Sequence, residues 1–186
     1  MENNKAVLFE LNIENDRCIF PNTISDAIID ANKELKDLEY EGYQFEGAEA
    51  SLELLILRNL GLYHPIFDLD RFKVIVEEPA GEFASAAMIK IKSGEKIEIT
   101  ADEGDGPVNA LDKALRKALE VFYPSLSNVR LTDFKVRVLD SEHATASKVR
   151  VLIESSDGKK SWSTVGVSSD IIRASFKAVT DSLEYY

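Results

Sequence analysis

Gly104-Asp105-Gly106-Pro107-Val108-Asn109-Ala110 joins a stretch with the period of a strand to one with the period of a helix. It sets an α+β reading of the chain. Before it, Ile97 to Ala101 alternates apolar and polar residues. After it, Ala110, Ala114, Ala118 and Phe122 fall on one line, with Leu111, Leu115 and Leu119 beside them. That stripe marks an amphipathic helix facing a core, and leaves Asp112, Lys113, Arg116, Lys117 and Glu120 to solvent. Two glycines allow close backbone approach or positive φ, and Pro107 suits a first helical position. Free amides in that first turn, at the positive end of the helix dipole, can hold a carboxylate or phosphate. A turn shaped only for geometry is the other reading of the same residues.

Working outward, Phe72 to Glu78 and Phe83 to Lys92 read as two further strands, with Ser93-Gly94 as the turn. Lys90 and Lys92 share a strand face, as protection of a sheet edge would require. The same order then recurs: strands at Val129 to Leu139, Thr145 to Ser155 and Ser161 to Val167, with Asp157-Gly158 as a turn. Ser168 or Ser169 can cap a last helix through Leu183. Lys113-Ala114-Leu115 aligns with Lys177-Ala178-Val179, so the pattern is an internal duplication of a βββα unit. Either unit alone is too small to bury both its sheet and its helix well; two units packed together, or four in a dimer, solve that problem. Trp162, the one tryptophan, is a packing anchor for that core.

Upstream, Ser25 or Asp26 can cap a helix carrying Ile28, Ile29, Leu35 and Leu38, ended by Gly42. A second helix runs from Ala48 to about Asn59 and stops at Gly61, and the stretch from Leu62 to Asp70 is a connector. Val7 to Ile13 could be a strand without an evident partner. The expected organisation is an unassigned segment 1–24, a helical linker 25–70, and a domain 71–186 built of units 71–123 and 128–186.

The 186 residues include 22 basic and 33 acidic ones, a net charge of −11 that argues against nucleic acid and anionic membranes as partners. Cys18 is the only cysteine, so no internal disulfide can form, in keeping with a reducing cytoplasm. No signal-peptide pattern or apolar run of membrane-spanning length is present. Chemistry-bearing residues are few. His64 and His143 sit far apart in a connector and a turn, and Glu46, Glu49 and Glu53 read as a solvated helix face rather than metal ligands. No catalytic residue, metal site or cofactor site is expected. Gly104-x-Gly106 is only half a dinucleotide fingerprint and follows an antiparallel hairpin, which argues against a Rossmann unit.

Three motifs in order carry a resemblance: Gly104 to Ala110, Leu131-Thr132-Asp133-Phe134-Lys135-Val136-Arg137-Val138, and Thr164-Val165-Gly166-Val167-Ser168. Together they resemble the C-terminal regulatory domain of the 2-isopropylmalate synthase and citramalate synthase family, over about residues 72–186. The linker Glu41 to Ser51 and the stretch Asp170 to Phe176 look closer to citramalate synthase. The resemblance implies an amino-acid-sensing and dimerisation unit for a branched-chain amino acid, isoleucine or alternatively leucine. It places the effector at Gly104, Asp105, Gly106, Pro107, Val108, Leu131 and Phe134. Simple strand alternation puts Leu131 on the face opposite to Phe134 and Val136, so only family position ranks Leu131 and Phe134 together.

The family's catalytic TIM barrel, with its metal-binding His-x-His, has no counterpart in these residues. Catalysis is therefore not implied for this polypeptide. A fragment, a free-standing regulatory module and a partner of a separately encoded barrel are the alternatives.

Overall fold

Each run of period-two sequence pairs with its neighbour in an antiparallel hairpin, and each helical stripe closes over the sheet before it. The computed structural model describes residues 21–77, 85–139 and 147–186, so Val7 to Ile13, Cys18 and His143 lie outside the described residues. Helices α1 (Pro21–Glu41) and α2 (Glu49–Asn59) come first. Strands β1 (Asp68–Val76), β2 (Ser85–Ser93) and β3 (Lys96–Gly104) form one sheet in that order, backed by α3 (Pro107–Glu120). Strands β4 (Arg130–Val138), β5 (Val149–Ser156) and β6 (Ser161–Ser168) form the second, backed by α4 (Ile171–Tyr185).

The duplication reaches individual hydrogen bonds. Thr100 Oγ1 donates to Ala114 O at 2.7 Å, and Thr164 Oγ1 donates to Ala178 O at 2.7 Å. The same offset separates both donors and both acceptors. The two units share one core, in which Ile89, Ile91, Leu115 and Leu119 of the first join Val151, Ile153, Ala178 and Leu183 of the second. Each of the Ile, Leu and Val side chains among them contributes roughly 1.5–3 kcal/mol by leaving water. Trp162 is buried there, and its Nε1 donates to Ser182 O at 3.0 Å. Gly166 lets α4 approach β6 closely, since a Cβ there would lie 2.1 Å from Ala174 O.

The two sheets also share an irregularity. Pairing slips by one residue between Leu69 and Arg71 in β1 and between Leu131 and Asp133 in β4. In each case one residue, Asp70 or Thr132, is inserted as a bulge before a Phe-Lys-Val run. Leu131 therefore pairs with Ser155, Phe134 with Ile153 and Val136 with Val151, all on the helix-side face of β5. This corrects the simple alternation: Leu131, Phe134 and Val136 share a face, because the bulge restores the phase that odd spacing would break.

The helical linker covers the outer face of the second sheet, where Phe45, Ala48 and Leu55 bury Val165 with Leu152 against them. Val165 N, on the edge strand β6, donates to Ser51 Oγ at 3.0 Å. Arg150 Nε donates to Gly42 O at 2.6 Å. The first sheet has no such cover from the described residues, and Ile75, Met88, Ile97 and Ile99 are exposed.

Several local expectations need correction. Helix α1 begins at Pro21, ahead of the Ser25 or Asp26 cap, while Gly42 (φ 108°) and Gly61 (φ 67°) end α1 and α2 as read. Strand β1 starts at Asp68, inside the supposed connector. The α4 cap is Asp170, which accepts from Ile172 N at 2.8 Å, whereas Ser168 Oγ accepts from Asp170 N at 3.1 Å. Strand β2 is central, so Lys90 and Lys92 protect no edge. Lys90 instead pairs with Asp70 in the bulge at 3.1 Å.

Candidate functional site

A cleft of about 440 Å³ opens between the first turns of α3 and strand β4, lined by Val108, Asn109, Asp112, Leu131 and Phe134. Its floor and one wall come from the bulged strand, which turns Leu131 and Phe134 to the same side. The other wall is helical. Val108 and Asp112 are one turn apart and so project from one helix face.

The loop leading into α3 explains how the helix end comes to stand at the cleft. Gly104 closes β3 and is buried against the helix, since a Cβ there would lie 2.5 Å from Ala110 N and 2.6 Å from Asn109 Oδ1. Only glycine permits that approach. Gly106 is the N-cap, with φ −164° and ψ 171°, an extended conformation any residue adopts, and open space lies where its Cβ would be. The positive-φ reading thus does not apply to Gly106. Pro107 opens the helix, as expected. Ala110 N makes the first helical bond, to Gly106 O at 3.0 Å, so the N–H groups of Val108 and Asn109 precede the ladder at the helix end. Asp105 N donates to Asn109 Oδ1 at 3.4 Å, tying the loop to the first turn.

Of the sequence-derived residues, Val108, Leu131 and Phe134 meet in the cleft, while Gly104, Asp105, Gly106 and Pro107 form the adjoining turn. Asn109 and Asp112 are additions the sequence reading missed. Asp112 and Arg116 were expected in solvent, yet their side chains are only 17% and 15% exposed. Arg116 Nε donates to both carboxylate oxygens of Asp112, at 2.9 and 3.0 Å, and its Nη1 donates to Val129 O at 2.7 Å. Burial pushes the Asp112 carboxyl above its ordinary range, and Arg116 pulls it partly back. The signal that could have found this pair is its i,i+4 spacing, which also marks ordinary surface pairs.

A second polar cluster joins α2 to α4. Asp181 is buried between Arg58 Nη2 and Lys177 Nζ, each 2.8 Å away. Glu184 accepts a hydrogen bond from Tyr63 OH and lies 3.6 Å from Arg58 Nη2. Burial, then the Glu184 hydrogen bond, pushes the Tyr63 hydroxyl up to about 12. Among the described residues, no group of three or more His, Cys, Asp and Glu could hold a metal ion. Glu53 accepts from Tyr185 OH at 2.9 Å. No helix among them is long and apolar enough to cross a membrane.

The fold is thus a duplicated βββα unit with a small-molecule-sized cleft beside the N-terminus of α3. Residues 46–186 match the LeuA allosteric (dimerisation) domain, and the chain belongs to that family. It is 56% identical over 153 residues to an (R)-citramalate synthase of Geobacter sulfurreducens, covering 81% of this chain and 29% of that protein. An (R)-citramalate synthase of Aquifex aeolicus is 50% identical, with the same shares covered. A 2-isopropylmalate synthase of Aquifex aeolicus is 34% identical over 161 residues, covering 85% of this chain and 28% of that protein. The chain therefore spans less than a third of the length of these curated relatives.

Proposed function

We propose that this chain is the amino-acid-sensing and dimerisation part of a citramalate synthase-like acyltransferase, and that the cleft at α3 binds isoleucine as a feedback inhibitor. The observation that carries this reading is the joining of an apolar pocket to the amino end of a helix. The aliphatic side chain would contact Leu131, Phe134 and Val108, and the carboxylate would face the N–H groups of Val108 and Asn109. The higher identity to citramalate synthases favours isoleucine over leucine. Feedback requires the effector to bind one conformation better than another, and the catalytic barrel to sense that difference. On this reading the chain acts in the cytoplasm, forms a homodimer, needs no cofactor of its own, and works with a TIM barrel that carries the chemistry.

Calorimetry with isoleucine, leucine and valine tests it. Isoleucine should bind in the micromolar to millimolar range, more tightly than the other two. No heat from any of them up to millimolar concentration would overturn the sensing role. Tighter binding of leucine would move the assignment to the 2-isopropylmalate synthase branch. The two amino acids differ by the placement of one methyl group, a difference worth roughly 1–3 kcal/mol.

A further inference from the structure

The internal duplication supplies two equivalent positions for a ligand cleft, and the chain treats them differently. The helix offset that carries Ala114 onto Ala178 carries Val108 onto Ile172 and Asp112 onto Phe176. The bulged strands align Phe134 with Phe72. At the second position Phe176 packs on Phe72 with ring centroids 5.0 Å apart, and this pair joins the core. At the first, Asp112 stands where Phe176 would be, and the space before Phe134 remains open as the 440 Å³ cleft.

Asp112 is costly at such a place. A carboxylate removed from water beside Val108, Leu131 and Phe134 needs compensation, and Arg116 supplies part of it from one side. A carboxylate offers about four acceptor sites, so it retains capacity on the side that lines the cleft. Arg116 is itself anchored to Val129 O.

Resting on the effector reading above, we propose that Asp112 is the residue that binds the α-ammonium group of the effector. The cleft then selects a zwitterionic α-amino acid over the 2-oxo acid of the same carbon skeleton, and the Phe72–Phe176 contact limits each chain to one such site. The carboxylate of the ligand lies toward the start of α3 and its ammonium one helical turn further on. This matches the order of positive and negative groups along the helix.

Calorimetry of the full chain with isoleucine, its 2-oxo acid analogue and N-acetyl-isoleucine decides the matter. Wild type should bind one isoleucine per chain, and both analogues at least tenfold more weakly, as loss of a charge-assisted contact predicts. In Asp112→Asn, isoleucine should weaken about tenfold or more while the 2-oxo acid is unaffected. In Asp112→Phe, which copies the filled position, isoleucine binding should vanish with the thermal melt retained. Equal affinity for isoleucine and its 2-oxo acid, two sites per chain, or an unchanged isoleucine affinity in Asp112→Asn would each overturn the proposal and leave the effector reading standing. No binding of any amino acid by wild type would overturn both. The wild-type ligand series decides the question even if a variant fails to fold.

Discussion

Gly104 and Gly106 belong to one motif yet do different work. The first is fixed by packing, because any Cβ would meet the backbone of Ala110. Gly104→Ala should cost about 1–3 kcal/mol through overpacking. Gly106→Val should fold nearly as well as wild type, because its backbone is extended and its Cβ would meet open space. If that backbone contacts the effector carboxylate, Gly106→Val should still lower isoleucine affinity tenfold or more. Denaturant melts and isoleucine titrations on the two variants separate these roles. Equal destabilisation by both would refute the packing argument, and unchanged affinity in Gly106→Val would refute the carboxylate turn. Asp112 shows what sequence could not convey at this scale. It lies on the polar side of the α3 stripe, and the residues it meets come from β4 and α4, which follow later in the chain.

At the scale of elements, periodicity located the strands and helices of both units, since each has one face in water and one in the core. What it missed depends on tertiary pairing. The inserted Thr132 is invisible as a bulge until β5 lies beside it, so the common face of Leu131 and Phe134 was not legible. Lys90 and Lys92 look like edge residues until β1 and β3 flank them. The docking of α2 on α4 also emerges only in three dimensions, through Arg58, Asp181 and Glu184. Burial, with the nearby Asp181 charge, holds the Glu184 carboxyl above its ordinary range. A carboxyl raised in the folded state favours folding while protonated, and this contribution fades as pH rises through the folded pKa. Glu184→Gln, neutral throughout, should therefore gain on wild type as pH rises. The difference in Tm, variant minus wild type, should be more positive at pH 7 than at pH 4, by about 2–4 °C for each kcal/mol involved. A difference that shrinks over that range would show that the ion pair with Arg58 outweighs desolvation.

Among the described residues the molecule is lopsided. The outer face of the second sheet lies under α1 and α2, while the first sheet presents Ile75, Met88, Ile97 and Ile99 to solvent. Val136 and Val138 on β4 are exposed as well. A −11 charge opposes indiscriminate association, so apolar surface of this extent points to specific contacts. Sedimentation at micromolar concentration should find a homodimer, and effector should not be required for it. Only monomer, with and without isoleucine, would count against the dimerisation reading.

The paired bulges have a historical consequence. An extra residue at the same address in both halves is most simply one insertion, made before the halves were copied. On that account the ancestor would be a half-length chain that associated with itself, and such a pair carries two identical openings by symmetry. Fusion into one polypeptide freed the two openings to diverge. One is now closed by Phe176 against Phe72, while the other holds Asp112 and stays open.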